Sequence, residues 1–155
     1  RQIALITTRY ETKKISGNIE ITDNISVITR HIPISSEIYA IAKKKNTLAN
    51  NHIKESKVFA INFMPYSKEN EVRYCKTNSG RFKDKFKETG FQKEECELID
   101  CPKIKEAIAN AECELINEID ANNYSLFLGK VVKFKKKGDT KRIFYTKEDN
   151  FTTTL

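Results

Sequence analysis

The sequence predicts a mainly β protein, in which short strands form a β-barrel interrupted by a few helical insertions. β-Branched and aromatic residues collect in short runs, and single glycines separate these runs along the chain. The regular alternation of strand and helix that a parallel α/β sheet requires is missing. The length of 155 residues suits one domain, so we expect a single domain over residues 1–155.

The first half of the chain is predicted to contain four strands and one short helix. Strands are expected over residues 1–10, 25–32 and 38–42, and Pro33 ends the second because proline has no N–H for a sheet ladder. Thr47 is expected to cap a helix running towards residue 56, its hydroxyl accepting from N–H groups of the first turn. Residues 57–64 are apolar on both faces, which indicates a strand buried on both sides.

The second half is predicted to contain two short helices followed by strands. Ser67 is expected to cap the first of these helices, and Pro102 suits the first turn of the next. Residues 111–116 alternate between apolar and polar side chains, which predicts a half-exposed strand. Residues 124–134 form the longest strand candidate, and residues 142–145 the last.

The composition is typical of a soluble globular protein, with 39% hydrophobic and 32% charged residues. No apolar run approaches the ~20 residues that cross a bilayer, so no membrane partner is expected. The sequence opens without a charged-then-apolar leader, so we expect that a signal peptide is absent or was removed. The expected compartment is the cytoplasm.

The cysteine pattern does not predict a metal site. Cys75, Cys96, Cys101 and Cys113 form no C-x-x-C pair, and the chain has two histidines to complete a ligand set. We interpret the four cysteines as thiols in a reducing compartment. A disulfide between Cys96 and Cys101 stays open as an alternative at this point.

The net charge of +7 raises the hypothesis of a nucleic-acid-binding β-barrel. Such barrels display aromatic rings with basic residues along an exposed strand face, and Phe59, Phe63, Tyr66 and Tyr74 are the candidates here. These aromatics fall in segments predicted to be buried. The sequence is also rich in lysine and asparagine, which favours a solvated lysine surface, so no nucleic-acid partner is expected.

Three segments carry a resemblance to a known family. The first, residues 24–35, reads NISVITRHIPIS, and the second is IKES at 53–56 leading into FAINF at 59–63. The third is Ser-Gly-Arg at 79–81 followed by Asp-Lys-Phe at 84–86, and it is the most specific. In this order, over nearly the whole chain, the segments resemble the flavin reductase-like family of flavoredoxin type.

The resemblance implies an FMN-binding split barrel and an oxidoreductase activity. Electrons would pass from NAD(P)H or a protein donor through FMN to an acceptor that the sequence does not identify. It further implies a homodimer with FMN near the subunit interface, and a redox protein is a candidate partner. A non-catalytic FMN-binding electron carrier or flavin-storage protein is the alternative. The chain has no G-x-G-x-x-G element, so a nicotinamide would bind without a dinucleotide domain, and the catalytic residues are unknown.

The phosphate of FMN needs cationic and N–H donors that converge on one point. Lys45, Asn46 and Thr47 supply an ammonium, an amide and a hydroxyl at the start of the predicted helix. The resemblance places phosphate contacts in this turn. An ordinary lysine-rich surface turn with a threonine cap is the alternative interpretation.

The flavin ring needs an apolar surface and donors that face its carbonyl groups. The resemblance places the ring against the end of the second strand, and the candidate residues are Thr29, Arg30, His31, Pro33 and Ser35. Considered alone, a histidine such as His31 is more often structural than functional.

The Ser79-Gly80-Arg81 segment is the other candidate contact. Gly80 permits close approach of the backbone, and Arg81 is a planar donor for a phosphate or a carbonyl. Lys85 would share a face with Arg81 if this stretch is helical. A loop with solvated charges is the alternative.

Three places differ from the family pattern that the resemblance implies, and one is Ser36-Glu37, which stands where members commonly carry a Pro-Pro pair. Arg30 stands where members commonly carry an aromatic residue. Tyr124 stands near the place of a histidine often associated with nicotinamide use. The resemblance therefore supports flavin binding more strongly than it supports hydride transfer from NAD(P)H.

Overall fold

The structure is a computed structural model of the chain, and it describes residues 2–81, 83–137, 143–145 and 151–153. The strands in these ranges are β1 (Ala4–Lys13), β2 (Ile19–Ile28), β3 (His31–Pro33), β4 (Ile38–Lys44), β5 (Val58–Phe63), β6 (Lys93–Glu95), β7 (Pro102–Ile104), β8 (Ala109–Ala121), β9 (Tyr124–Lys136), β10 (Ile143–Tyr145) and β11 (Phe151–Thr153). The helices are α1 (Leu48–Ser56), α2 (Glu69–Thr77) and α3 (Lys85–Thr89), with a 3-10 turn at Tyr66–Lys68.

Seven antiparallel strands form one sheet in the order β2-β1-β5-β8-β9-β4-β3. Two residues, Thr29 and Arg30, separate β2 from β3. β2 pairs with β1 at one end of the sheet, and β3 pairs with β4 at the other end. One bent segment therefore closes the sheet into a barrel. The predicted mainly β fold, a barrel with helical insertions, is confirmed.

The interior of the barrel is filled by large apolar side chains. Phe59 and Phe127 are fully buried there, together with Ile61 on the same face of β5. Ala60 lies on the opposite face of β5 and is also buried, against Ile99 of the loop after β6. The prediction of a strand buried on both sides is confirmed.

Helix α1 begins where the sequence predicts. The Thr47 hydroxyl accepts a hydrogen bond from the Asn50 backbone N–H (3.3 Å), which supplies a partner for a first-turn donor that no helical carbonyl reaches. The helix ends at Lys57 in a left-handed conformation, and the fully buried Ile53 joins the barrel core.

The predicted cap at Ser67 is wrong. Ser67 lies within the 3-10 turn. Helix α2 begins directly after this turn, at Glu69, and has no side-chain cap. Val72 and Cys75 are buried against the outside of the barrel in a cluster that also contains Phe86 of α3. Packing of this apolar face stabilises α2 in place of a cap.

The predicted helix after Pro102 is also wrong, since Pro102–Ile104 forms strand β7 and pairs with β6. Hydrogen bonds to the barrel strands hold this segment in the extended conformation. Thr7 donates its hydroxyl proton to the Pro102 carbonyl (2.6 Å), and the Ile104 N–H donates to Asn62 Oδ1 (2.9 Å). These hydrogen bonds come from residues far away in the sequence, so the residues around Pro102 could not predict them.

The half-exposed strand predicted over 111–116 is part of the longer β8, whose first five residues are all buried. Even Glu112 is 1% exposed. Its carboxylate accepts hydrogen bonds from the backbone N–H groups of Glu97 (3.0 Å) and Leu98 (2.7 Å), and Lys103 lies 3.7 Å away. The loop that carries Glu97 and Leu98 thus covers a face that the alternation predicted to be exposed.

Other strand limits differ by a few residues from the predicted ones. β2 begins at Ile19 and ends at Ile28, before the bend that leads to β3. The strand predicted over 124–134 lies within β9, and the last predicted strand corresponds to β10. Arg1 and Arg142, the first residues of two predicted strands, lie outside the described residues.

The four cysteines are free thiols in the structure, and Cys75, Cys101 and Cys113 are buried. Burial raises the pKa of Cys75 to about 11 and that of Cys113 to about 12. No helix in the described part of the chain is long and apolar enough to span a bilayer.

Candidate ligand-binding site

A cavity of about 480 Å³ lies between β2, β4, the start of α1 and the loop that joins α2 to α3. Seven of the twelve predicted binding residues line it, from four segments of the chain: Thr29, Asn46, Thr47, Ser79, Gly80, Arg81 and Lys85. This cavity, called the polar cavity below, is therefore the place where the candidate residues converge.

The turn at the start of α1 forms one wall of the polar cavity. Asn46 adopts a left-handed conformation (φ 65°), which asparagine tolerates better than most residues. Thr47 donates its hydroxyl proton to the Lys44 carbonyl (2.8 Å) while the same oxygen caps the helix. This turn therefore presents Asn46 and Thr47 to the cavity in a conformation set by local hydrogen bonds.

Lys45, the third predicted member of this turn, is turned away from the polar cavity. Its Nζ lies 2.5 Å from Asp120 Oδ1, and its backbone N–H donates to the Asn123 carbonyl (2.9 Å). Both partners belong to the end of the β8–β9 hairpin. The structure thus separates Lys45 from Asn46 and Thr47.

Gly80 allows the loop after α2 to lie directly against β2. A Cβ atom at this position would stand 1.9 Å from Asn24 Oδ1 and 2.8 Å from Asn24 Cγ. The close approach predicted at this glycine is thus made to the buried Asn24 side chain. Asn24 itself lines the polar cavity and was not among the predicted residues.

Lys85 reaches the polar cavity from the first residue of α3. Its side chain is 6% exposed, and its Nζ donates to the Ile25 carbonyl of β2 (2.8 Å). Burial lowers the pKa of Lys85. Arg81 lies in the loop before α3, so the predicted shared helical face is wrong, although both residues line the cavity.

Lys43 is a cavity residue that the sequence analysis missed. It is half-buried, and its Nζ donates to Ser26 Oγ (2.5 Å) and to the Val27 carbonyl (3.1 Å). Burial, assisted by repulsion from Lys85, lowers the pKa of Lys43 to about 8. The period of two along β4 carried a signal, because it places Lys43 on the same face as the fully buried Ile41.

A second, more apolar cavity of about 410 Å³ adjoins the first, and Thr29 lines both. Arg30 and His31 line this second cavity together with Ile32 and Leu126. The Arg30 guanidinium lies 5.1 Å from the centre of the Tyr124 ring, and its Nη1 donates to the Tyr124 hydroxyl (3.4 Å). Arg30 and Tyr124, which both depart from the family pattern, are thus in contact with each other.

His31 is held by two hydrogen bonds. Its Nε2 lies 2.7 Å from the Gln2 carbonyl, and since a carbonyl only accepts, Nε2 is the donor. Its Nδ1 lies 2.8 Å from the Tyr39 hydroxyl, and the two rings stack with centres 5.8 Å apart. These contacts fix the orientation of the ring beside the second cavity.

Pro33 and Ser35 line neither cavity. Pro33 ends the short edge strand β3 and is exposed. The Ser35 hydroxyl accepts from the backbone N–H groups of Glu37 (3.3 Å) and Ile38 (3.2 Å), which shapes the turn into β4. The structure therefore places Pro33 and Ser35 apart from the predicted residues that line the two cavities.

The aromatic residues of the nucleic-acid hypothesis do not form an exposed row. Phe59 is fully buried and Phe63 is 6% exposed, both in the barrel core. Tyr66 packs half-buried against the cluster under α2. Stacking of bases needs exposed ring faces, so these aromatics give the hypothesis no support.

One protein of known sequence is similar to part of this chain. An uncharacterised protein of Pyrococcus abyssi is 33% identical over 98 residues, which is 63% of this chain and 55% of that protein. The match thus spans about half of the length of this relative.

Several solved structures share the fold at low sequence identity. An FMN-binding protein of Thermus thermophilus superimposes with a TM-score of 0.84 at 17% identity, covering 98% of this chain and 85% of that one. Flavoredoxin of Desulfovibrio vulgaris gives 0.84 at 18%, covering 99% and 86%. An NADH:FAD oxidoreductase of Streptomyces globisporus gives 0.80 at 14%, covering 99% and 85%.

Residues 1–153 match the model of the flavin reductase-like domain. The match covers almost every residue of the chain, including each segment that lines the polar cavity. The antiparallel barrel agrees with the fold of the three structural neighbours. The chain belongs to the flavin reductase-like domain family.

Proposed function

We propose that this chain binds FMN across the two adjoining cavities and acts as an FMN-dependent oxidoreductase. The observation that carries the proposal is the pairing of a cationic cavity with an apolar one. Lys43, Lys85 and Arg81 line the first, and Ile32 and Leu126 line the second. FMN likewise has a dianionic phosphate at one end and a flat, largely apolar ring at the other.

The residues present fit this cofactor in size and chemistry. Cofactor sites typically measure roughly 300–1,000 Å³, and the polar cavity is about 480 Å³. Thr47, Asn46 and Ser79 provide neutral donors and acceptors suited to a ribityl chain. Thr29, at the junction of the two cavities, would stand between the polar and apolar ends of the ligand.

Bound FMN would supply the electron-transfer chemistry, while the chain would supply binding, orientation and exclusion of water. We propose NAD(P)H or a redox protein as the electron donor. The similarity of fold to an NADH:FAD oxidoreductase supports a nicotinamide as the donor. NAD(P)H is available in the cytoplasm, the compartment that we propose for this chain.

The first test is titration of the purified protein with FMN, followed by quenching of flavin fluorescence. We expect binding of one FMN per chain, and Arg81→Ala should weaken it by about 1–3 kcal/mol through loss of a charged hydrogen bond. Arg73→Ala is the matched control, because Arg73 is exposed on α2 and does not line the cavity. A protein that binds no flavin under mild conditions would refute the proposed function.

The second test adds NADH or NADPH, without air, to the FMN-loaded protein. Bleaching of the flavin absorbance with either nicotinamide would support a reductase. Flavin that stays oxidised with both, yet is reduced by a small chemical reductant, would indicate the alternative of a non-catalytic electron carrier or flavin-storage protein.

We also propose that the chain forms a homodimer with FMN near the subunit interface. Ile32 and Ile34 of the β3 edge are each 58% exposed, and Ile119 of β8 is 42% exposed. Ile32 pairs with Ala40 of β4. Two residues further along β4, Ala42 pairs with Leu126 of β9, and Leu126 pairs with Ile119 of β8, so these side chains share one outer face. This outer face adjoins the second cavity, and a second copy of the chain would cover it.

Ile32→Glu is expected to convert the dimer into a monomer, because it places a charge in the apolar outer face. Light scattering coupled to gel filtration measures the mass directly. Ile15→Glu is the control, since Ile15 is fully exposed in the β1–β2 turn and should leave the mass unchanged. A monomeric wild-type protein at high concentration would contradict the proposed dimer.

A further inference from the structure

We propose that Cys96 and Cys101 form a redox-active dithiol site, at which a small hydroperoxide oxidises the two thiols to a reversible disulfide. The structure shows the reduced state of this pair. The inference goes beyond the proposed function, because Cys96 and Cys101 lie outside the linings of the polar cavity and the second cavity.

The two cysteines stand opposite each other at the end of the β6–β7 sheet. Glu95 pairs with Pro102 in this sheet, so Cys96 and Cys101 are the next opposed pair. The Cys96 backbone N–H donates to the Cys101 carbonyl (2.9 Å), which extends the ladder by one step. Hydrogen-bonded antiparallel pairs place their Cα atoms about 5.5 Å apart, and disulfides most often join Cα atoms about 5.5–6 Å apart. The backbone therefore holds this pair at the spacing of a disulfide.

The side chains of the pair are also in contact. A hydrogen bond joins the Cys96 and Cys101 side chains. The Cys101 thiol donates its hydrogen to the Thr7 carbonyl (3.1 Å), so the hydrogen between the two sulfur atoms comes from Cys96. Both side chains pack in one apolar cluster, whereas Cys75 and Cys113 belong to two other clusters. The tertiary structure thus selects Cys96 and Cys101 from the four cysteines.

The two thiols differ in their access to solvent. Cys96 is half-buried and is followed by the exposed residues Glu97 and Leu98, so a small molecule can reach its sulfur. Cys101 is fully buried, and burial raises the pKa of its thiol. Because the thiolate is the reactive form, Cys96 reacts with the peroxide and Cys101 then reacts with the oxidised Cys96.

The reaction with hydrogen peroxide balances in two steps. The Cys96 sulfur attacks one peroxide oxygen, the O–O bond breaks, and the other oxygen leaves as water with the thiol proton, which gives a sulfenic acid. The Cys101 sulfur then attacks the Cys96 sulfur, so that an S–S bond forms and the S–O bond breaks. The second oxygen leaves as water with the Cys101 proton. The two thiols lose two electrons in total, and one peroxide is reduced to two waters.

The disulfide would close the loop that covers Glu112. This loop, residues 97–100, directs the backbone N–H groups of Glu97 and Leu98 at the buried Glu112 carboxylate. A covalent link across the loop lowers the conformational entropy of the unfolded chain. We therefore expect oxidation to raise the Tm by about 3–6 °C and to slow hydrogen exchange at the Leu98 amide.

The test treats the reduced full chain with hydrogen peroxide at neutral pH and counts thiols after denaturation. We expect two of the four thiols to be lost. The intact mass should fall by about 2 Da, and a dithiol reductant should reverse the change. A protease that cuts after glutamate separates residues 96 and 101 at Glu97, so the disulfide alone keeps the two peptides joined. Circular dichroism measures the Tm of the same samples.

Serine variants separate the roles of the two cysteines. Cys96→Ser should keep its three thiols, because the remaining cysteines are buried. Cys101→Ser should lose one thiol and carry a sulfenic acid at Cys96, which dimedone labels. Cys75→Ser is the matched control and should still form the disulfide, since Cys75 lies in the cluster under α2. If Cys101→Ser folds poorly, the joined peptides of the wild-type chain decide the question.

Two results would overturn the inference. One is survival of all four thiols at a peroxide concentration that oxidises free glutathione. The other is a disulfide that contains Cys75 or Cys113, because the β6–β7 register would then not select the pair. Each of these measurements is made without added flavin, so a chain that binds no FMN would refute the proposed function and leave this inference standing.

Discussion

Replacing Asn62 by leucine is expected to lower the free energy of unfolding by about 3–5 kcal/mol. The Asn62 amide is fully buried and donates to the Leu5 carbonyl and to Thr7 Oγ1, both at 3.0 Å. Its Oδ1 accepts from the Ile104 N–H (2.9 Å) and from Asn110 Nδ2 (2.7 Å). Leucine has a similar volume, so the loss would come from buried partners left without hydrogen bonds.

Urea or thermal unfolding followed by circular dichroism measures this loss. Asn117→Leu is the matched control, because Asn117 is exposed on the same sheet and its replacement should change the free energy of unfolding by less than about 0.5 kcal/mol. We also expect faster hydrogen exchange at Ile104, since β7 is held to the barrel through Asn62. Equal stability of the two variants would show that the amide network contributes little.

Replacing Arg9 by methionine is expected to lower the free energy of unfolding by about 2–4 kcal/mol at neutral pH. The Arg9 guanidinium contacts Asp23 through Nε (2.7 Å) and Nη2 (3.1 Å), and both side chains are largely buried. Its Nη1 contacts Glu95 (2.5 Å) and Asp100 (2.9 Å), which are mostly exposed and contribute less. Removal of Arg9 would leave the buried Asp23 carboxylate with Lys93 as its remaining cationic partner.

The effect of Arg9→Met should depend on pH. Burial acts to raise the pKa of Asp23, but hydrogen bonds from Arg9 and Lys93 outweigh it and hold that pKa below 3.8. A folded-state pKa below the unfolded one means that the stabilisation is complete above about pH 4 to 5 and is lost as the pH falls through the folded value. The difference between wild type and variant should therefore narrow in acid.

The control for Arg9 is Lys14→Met on the same β1–β2 hairpin. Lys14 pairs with Glu20 at 3.0 Å, and both side chains are more than half exposed. Its replacement should cost less than about 1 kcal/mol. A difference between wild type and Arg9→Met that stayed constant from pH 7 to pH 3 would argue against the role given to Asp23.

Local signals predicted the elements that local hydrogen bonds and strand periodicity determine. The Thr47 cap and the two-sided apolar pattern of β5 were read correctly, because each depends on neighbours within a few residues. Ser67 and Pro102 gave local signals of the same kind and were misleading. At these two positions, packing under α2 and the hydrogen bonds from Thr7 and Asn62 outweighed local preference.

In the candidate site, too, some features follow from neighbouring residues in the sequence and others from tertiary contacts. The turn at Asn46 and Thr47 and the segment at Ser79 to Arg81 were found from residue chemistry and family resemblance, and they do line one cavity. The resemblance placed the phosphate contacts in the turn that holds Lys45, and Lys43 was not predicted, although the period of two along β4 puts it on the face of the buried Ile41. The direction of each lysine follows from its tertiary partner, since Lys43 reaches Ser26 of β2 and Lys45 lies against Asp120 at the end of the β8–β9 hairpin.

By itself the sequence determined the mainly β class, the family and the segments that build the site, since these depend on residue type and short spacing. The tertiary structure decided which side chains meet. Lys43 contacts Ser26 across 17 residues of chain, Asn62 contacts Ile104 across 42, and Lys85 contacts Ile25 across 60. Such contacts form when barrel closure brings distant strands together. A buried polar group then forms a hydrogen bond with the donor or acceptor that lies nearest to it.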